Sequence, residues 1–146
     1  MRYVPDLLIR GADESLVAAI EVKGAGMLTP ERAKGIFAGY REASGGVPPA
    51  YFLVLSPERG YIWKRDALRT DDSANAEFDF GEVLADYLDP EKDTPRVRSL
   101  EYVVFRWLFA IATGARQPNK AGERSLAQIG FIAAIRDARV SFGLAA

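Results

Sequence analysis

The first half of the chain alternates short apolar runs with turn-forming clusters, and this order restricts the fold more than any other feature. Residues 3–10 (YVPDLLIR) and 16–23 (LVAAIEVK) flank the cluster Gly-Ala-Asp-Glu-Ser, which predicts an antiparallel hairpin. Residues 50–55 (AYFLVL) and 60–64 (GYIWK) are joined by Ser-Pro-Glu-Arg and predict a second hairpin. We therefore expect a β-sheet built from the first 65 residues.

A helix is predicted between the two hairpins. Thr29 is a good N-cap and Pro30 suits the first helical position, while Ser44-Gly45-Gly46 provides a stop. One face of this helix carries apolar side chains at helical spacing: Ala33, Ile36, Phe37 and Tyr40. Gly35 and Gly39 lie inside the helix, where we expect them to permit tight packing on the sheet; the alternative is a bare face open to a phosphate backbone or another helix.

Charge divides the rest of the chain. The net charge is about +2 over residues 1–70, −8 over residues 71–95 and +5 over residues 96–146. Residues 67–95 are interpreted as a solvated acidic connector with a short helix at 81–88. Two longer helices are predicted at 96–113 and 124–140, separated by a basic loop at 114–122.

The order of these elements predicts an α/β (α+β) fold with a mixed sheet, a central helix and a helical C-terminal section. We expect a single domain over residues 1–146, with a core at 1–66, the connector at 67–95 and the helical section at 96–146. Trp63 and Trp107 are expected in the core. The apolar C-terminal helices are a candidate homodimer interface.

Composition excludes several classes of site. The chain contains neither cysteine nor histidine, so a structural zinc site, a disulfide framework, a thiol nucleophile and a Ser-His-Asp triad are all excluded. Any metal must therefore be held by oxygen ligands, which favours Mg²⁺, Mn²⁺ or Ca²⁺. The longest apolar stretch, residues 103–112, is interrupted by Arg106 and is too short to span a bilayer. We expect a cytoplasmic protein without a membrane partner.

The first hairpin places three charged residues close together. If its turn is centred between Asp13 and Glu14, paired residues sum to 27, which puts Asp6 opposite Glu21 on the same face. Glu21 and Lys23 share a face because side chains alternate along a strand. Two facing carboxylates repel each other unless a cation lies between them. An oxygen-liganded divalent ion would meet this need, and so would a simple ion pair with Lys23; the spacing alone does not distinguish the two.

One part of the sequence resembles the PD-(D/E)xK motif of the restriction endonuclease-like nucleases. It consists of Pro5-Asp6, a short hairpin turn, and Glu21-Val22-Lys23 at the end of an apolar strand. The helix beginning at Thr29-Pro30 and the strand AYFLVL also follow in the order of that superfamily. The resemblance covers residues 3 to about 65. It implies a restriction endonuclease-like core.

The resemblance also implies an activity, namely endonuclease hydrolysis of phosphodiester bonds in nucleic acid, with DNA favoured. Asp6 and Glu21 would be carboxylate ligands of Mg²⁺ or Mn²⁺, with the backbone carbonyl of Val22 as a third ligand. Lys23 would orient or help deprotonate the attacking water and would stabilise charge on the phosphate. The alternative is a catalytically inactive module of the same fold that binds nucleic acid or a protein partner, alone or in a larger complex.

A second candidate contact with nucleic acid is the basic loop near the C-terminus. Arg116, Lys120 and Arg124, together with neighbouring amide side chains, are of the types that bind a phosphate backbone. A solvated helix face would have the same composition. A salt-dependent affinity is what the binding interpretation predicts.

Overall fold

The apolar runs form the strands of one mixed sheet. The computed structural model describes residues 4–46, 48–88 and 97–143. Within these ranges the chain forms six strands and five helices: β1 (Leu7–Arg10), β2 (Leu16–Val22), α1 (Pro30–Ala43), β3 (Tyr51–Leu55), β4 (Arg59–Lys64), β5 (Ala76–Asp79), α2 (Gly81–Leu84), α3 (Val97–Thr113), α4 (Ala121–Gln128), α5 (Phe131–Ala134) and β6 (Arg139–Phe142). The strand order is β5-β4-β3-β2-β1-β6.

Strands β2 and β3 are parallel and are connected through α1, whereas the other neighbours are antiparallel. Because side chains alternate along each strand, the sheet has two apolar faces, and helices cover both. Helix α1 covers one face with Ala33, Phe37 and Tyr40. Helices α3, α4 and α5 contribute to the core on the other face. The predicted α/β class with a mixed sheet is confirmed.

The predicted central helix is confirmed as α1. The Thr29 hydroxyl accepts a hydrogen bond from the backbone N–H of Arg32 at 3.2 Å, and Pro30 occupies the first turn. Gly45 and Gly46 follow the helix with φ of +76° and +85°, a region that glycine enters without steric cost. Ile36, predicted on the buried face, is only half-buried.

Gly35 and Gly39 do not pack on the sheet, so that expectation is wrong. Both are exposed, and a Cβ added at either position would meet nothing within 4 Å. They lie on the face of α1 that is turned away from its buried residues Ala33, Phe37 and Tyr40. The outer face of the helix is therefore bare at two positions.

The register of the first hairpin is confirmed over most of its length. Leu7 pairs with Ile20, and the next two residues of β1 continue this pairing. Arg10, expected opposite Val17, instead pairs with Leu16, because a bulge adds one residue to β2. Val17 consequently packs against the core on the face away from α1 rather than sharing the face of Ala19.

The interpretation of residues 67–95 as a solvated connector is wrong for its middle part. Strand β5 pairs antiparallel with β4 and buries Phe78, while Glu77 and Asp79 point to solvent. Acidic residues on the outward face of an alternating strand concealed the pattern. The predicted short helix is present as α2, with Val83 and Leu84 buried. Residues 89–95 of the connector lie outside the described residues.

The predicted helix at 124–140 is also wrong. The chain forms α4, breaks at Gly130 with φ of +91°, and then forms α5. After Asp137, also at positive φ, it enters β6, which pairs antiparallel with β1. The C-terminal section is therefore not purely helical, because its last part is a strand of the sheet. No helix in the described ranges is long and apolar enough to cross a bilayer.

Both tryptophans lie in the core, as predicted, with Trp63 1% and Trp107 0% exposed. Trp63 stacks on Phe37 of α1, with ring centroids 4.8 Å apart. Trp107 belongs to α3 and contacts Phe80 edge to face, with centroids 5.1 Å apart. One tryptophan thus anchors the helix layer on each face of the sheet.

Two glycine substitutions should change stability in opposite directions. Gly39→Ala should raise the free energy of unfolding by about 1 kcal/mol, because alanine is the better helix former and its Cβ has open space. Gly60→Ala should lower it by about 1–3 kcal/mol, because the new Cβ would overlap the buried ring of Phe78 on the paired strand. Urea denaturation of both variants measures the two changes in the free energy of unfolding. Changes of the same sign would contradict the positions of Gly39 and Gly60 described above.

Candidate metal and catalytic site

Asp6, Glu21 and Lys23 lie together where β1 begins and β2 ends. The backbone N–H of Asp6 donates to Glu21 Oε1 at 3.2 Å. In return, the backbone N–H of Val22 donates to Asp6 Oδ2 at 2.7 Å. Lys23 Nζ lies 3.6 Å from Glu21 Oε2. The two carboxylates are thus linked across the strand pair through backbone donors, with the lysine beside them.

The three side chains differ in exposure. Glu21 is 6% exposed, Asp6 is half-buried, and the side chain of Lys23 is 39% exposed. Alternation places Glu21 on the α1 side of the sheet, together with Ala19. The pKa of the Tyr40 hydroxyl on α1 is raised, mainly because the group is buried. The negative charge of Glu21 also raises this pKa, whereas the positive charge of Arg10 lowers it. The site therefore has a buried acid and an accessible lysine.

Pro5 determines how the strand pair ends. Lys23 donates its backbone N–H to the carbonyl of Leu55 on β3 at 2.7 Å, so the backbone groups of Val22, one residue earlier, face β1. Continuing the register places Pro5 opposite Val22. Proline has no N–H, so the ladder hydrogen bond to the Val22 carbonyl cannot form. Pro5 therefore supplies no donor to the carbonyl of Val22, the residue that follows Glu21.

The C-terminal strand holds the other side of the Pro5-Asp6 segment. Gly143, directly after β6, donates its N–H to the backbone carbonyl of Asp6 at 2.9 Å. A Cβ on Gly143 would overlap the carbonyl oxygen of Pro5, so only glycine fits this approach. Asp6 is therefore fixed from both sides, by β2 through its side chain and by the end of β6 through its carbonyl.

The residues of this site suit a hard divalent cation. Among the described residues, no cluster contains three or more acidic side chains arranged to hold a metal. The donor set is instead two carboxylates with the carbonyl of Val22 nearby. Mg²⁺ is commonly bound through one or two carboxylates, with water and substrate phosphate oxygens completing its octahedron. Asp6 and Glu21 match that requirement, whereas a fully protein-ligated Ca²⁺ site would need more oxygens.

Arg116, predicted to contact nucleic acid, is committed to an internal network. Its Nε donates to Glu123 Oε2 at 2.7 Å and its Nη2 to Asp86 Oδ2 at 2.9 Å. Trp107 Nε1 donates to the same Glu123 carboxylate, which is fully buried. Burial raises the pKa of Glu123, but the hydrogen bonds from Arg116 and Trp107 outweigh it, and the net pKa is lowered.

The other two basic residues are more accessible. Lys120 Nζ lies 3.7 Å from Asp86 Oδ1, and Arg124 donates to the backbone carbonyl of Asn119 at 2.6 Å. Helix α4 packs on β5, four strand positions from β1, which corresponds to about 19 Å at the usual strand spacing. The structure therefore does not bring these residues beside Asp6, and their contact with nucleic acid stays a prediction.

Sequence reasoning missed Gly143 and Glu123. Gly143 contacts Pro5 only because β6 pairs with β1, a contact between residues far apart in the chain. The alternating run Arg-Val-Ser-Phe before this glycine is the signal that could have identified the strand. Glu123 could have been noticed as the only acid among the basic residues 114–136.

Gly143→Ala should loosen the candidate site. The added Cβ must push the Pro5-Asp6 segment away from β6, which should lower the free energy of unfolding by about 1–3 kcal/mol. The amide of Val22, protected by the Asp6 carboxylate, should then exchange with solvent faster. Amide hydrogen exchange measures this effect, with Ser141→Ala on β6 as the control. If the Val22 amide exchanges as slowly in Gly143→Ala as in the wild type, then Gly143 does not hold Asp6 in place.

Acidification should destabilise the fold through Glu123. Its pKa is lowered in the folded state, so its contribution is complete at neutral pH and is lost as the pH falls from about 4.5 through the folded-state pKa. Glu123→Ala should cost about 3–5 kcal/mol at pH 7, because it leaves Trp107 and Arg116 without their buried partner.

Denaturation curves between pH 3 and pH 7 measure this dependence. The difference between wild type and Glu123→Ala should shrink toward pH 3. Asp66→Ala, which removes an exposed acid paired with Arg65, is the control and should change stability by less than about 1 kcal/mol. A difference that does not vary with pH would contradict the role of the ionised carboxylate.

Comparison of the chain with models of protein families, with curated proteins and with solved structures finds no match in any of the three. The function must therefore be inferred from the residues and geometry of the site. The most informative feature is the meeting of Asp6, Glu21 and Lys23 at one end of the sheet.

Proposed function

We propose that the protein is a metal-dependent nuclease that hydrolyses phosphodiester bonds at Asp6, Glu21 and Lys23. The observation that carries this proposal is the linked pair of carboxylates with a lysine 3.6 Å from Glu21. Two acids and one lysine have a formal charge of −1, which favours the binding of a further cation. The PD-(D/E)xK resemblance implies that the substrate is nucleic acid, with DNA favoured.

Each side chain has a role that its environment supports. Asp6 and Glu21 would hold Mg²⁺ or Mn²⁺, with the Val22 carbonyl as a third protein ligand. The ion, when bound, supplies positive charge to the phosphate and acidifies a coordinated water. Lys23 reaches solvent while its ammonium stays near Glu21, so it can contact a phosphate oxygen and orient the attacking water. Glu21, being buried, is held in one place by the backbone of Asp6.

The path of the chain also supports this proposal. Strands β1 and β2 form the antiparallel hairpin, α1 crosses over the sheet, and β3 returns parallel to β2. The PD-(D/E)xK resemblance implies a hairpin, a helix and a strand in the same order. A restriction endonuclease-like core is therefore the finer fold assignment that we propose.

A second candidate is a catalytically inactive module that binds nucleic acid or a protein partner. One observation favours it: both carboxylates accept hydrogen bonds from backbone N–H groups, and these bonds join β1 to β2 whether or not a metal is bound. A purely structural role would then explain why the acids face each other. The side chain of Lys23 takes no part in these backbone bonds. Its removal should therefore abolish cleavage by a nuclease, whereas an inactive module has no cleavage to lose.

A cleavage assay with two variants distinguishes them. Lys23→Ala and Asp6→Ala should each reduce Mg²⁺-dependent cleavage of single- and double-stranded DNA at least about a hundredfold, the usual loss on removing a group that stabilises transition-state charge. Lys23 is partly exposed, so its variant should keep the wild-type melting temperature.

Asp13→Ala is the matched control, because it removes an exposed carboxylate from the turn of the same hairpin. It should cleave DNA like the wild type. Metal-dependent cleavage that persists in both Lys23→Ala and Asp6→Ala would overturn the proposal, as would wild-type protein that cuts no DNA or RNA.

A further inference from the structure

A groove runs beside the candidate catalytic lysine along the outer face of α1. It has a volume of about 370 Å³ and is lined by Lys23, Met27, Arg32, Gly35 and Ile36. Two of these residues are cations and none is an acid. Met27 is 50% exposed and Ile36 is half-buried, so the groove combines positive charge with an accessible apolar surface.

Two hydrogen bonds hold the middle of the loop between β2 and α1, which carries Met27 of the groove. The backbone N–H of Gly26 donates to Glu58 Oε1 at 3.0 Å, which ties the loop to the turn between β3 and β4. On the other side, Arg32 Nη1 donates to the carbonyl of Met27 at 3.3 Å. Gly26 has φ of +71°, which lets the loop turn at this point. These bonds connect the loop to the turn between β3 and β4 and to α1.

We infer that this groove holds the nucleotide next to the scissile phosphate and that the substrate strand lies in it unpaired. This inference rests on the proposed nuclease function. Lys23 and Arg32 would each bind one of the two phosphates that flank such a nucleotide. Met27 and Ile36 give its base an apolar surface beside the positive charge, in the role that aromatic side chains have in other grooves for single strands. The missing side chain at Gly35 lets the strand approach the helix closely.

The same features disfavour a duplex in this groove. In a duplex the bases are paired and stacked, so a base reaches Met27 and Ile36 only after the cost of unstacking. A strand already unpaired, such as a loop, a flap or a single-stranded end, meets no such cost.

Substitution of the two exposed glycines tests the groove. Gly35→Gln should weaken binding of a fluorescent single-stranded 12-mer about tenfold, because the new side chain blocks the close approach of the strand to the helix. Gly39→Gln adds the same side chain one helical turn away, outside the groove lining, and should bind like the wild type. Both variants should melt above the wild type, since each replaces a helical glycine whose Cβ has open space.

A second pair of variants tests the charge. Arg32→Gln should reduce the slope of log affinity against log salt by about 0.7, the value for one phosphate contact on a single strand. Arg32→Lys should keep the slope. Lys34→Gln removes a charge from the other side of α1, where Lys34 lines a separate cavity of about 520 Å³, and should also keep it.

Fluorescence anisotropy in EDTA measures binding without cleavage, so the groove and the nuclease activity are tested separately. Tighter binding of the single strand than of the same sequence in a duplex, with the losses above, supports the inference. Equal affinity of Gly35→Gln and Gly39→Gln overturns it even if the wild type cuts DNA. Preference for the duplex also overturns it. If the single strand binds and the variants weaken it as expected, but the wild type does not cleave DNA, then the groove is a binding site and the proposed nuclease function is wrong.

Discussion

The exchange of hydrogen bonds between Asp6 and β2 is the interaction on which the candidate site depends. A regular hairpin would continue its ladder through residue 5, but proline at this position cannot donate. At the same end of the strand pair, the Asp6 carboxylate accepts a hydrogen bond from the N–H of Val22, and the N–H of Asp6 donates to Glu21. These bonds orient both acids at this irregular end of the strand pair, where Pro5 cannot donate to the carbonyl of Val22.

The rest of the sheet holds this irregularity in place. Strand β3 binds the backbone of Lys23 on one side, and the end of β6 binds the backbone of Asp6 on the other. Helix α1 covers the face on which Glu21 lies and provides, with its outer side, one wall of the groove beside Lys23. The candidate site and the groove are thus contiguous, because Lys23 belongs to both.

Local patterns predicted the first half of the fold well, because turn residues and helix caps act on near neighbours. The register that brings Asp6 to Glu21 followed from the position of one turn, and the bulge at Arg10 lies beyond the residues that matter for the site. The second half was harder. Strand β5 is short and has acids on its outer face, and β6 follows a segment rich in alanine and arginine, so their sheet pairing overrides local preference.

The contacts that no local pattern could reveal are those between distant residues. Gly143 supports Asp6 across most of the length of the chain, and Glu123 binds Arg116 and Trp107 inside the core. That network also explains why the side chain of Arg116 is only 15% exposed. The sequence had predicted that this residue contacts phosphate. Charge patterns indicate how many cations a segment has, but the fold decides which of them face solvent.

Calorimetric titration of Mn²⁺ into metal-free protein, beside Glu21→Gln, tests the metal site most directly. Glutamine keeps the shape of the side chain and an oxygen that can accept from Asp6, but it removes the negative charge. A site formed by Asp6 and Glu21 predicts one bound ion per wild-type chain and a loss of binding in the variant. Absence of binding in the wild type, or equal binding by both proteins, would contradict it.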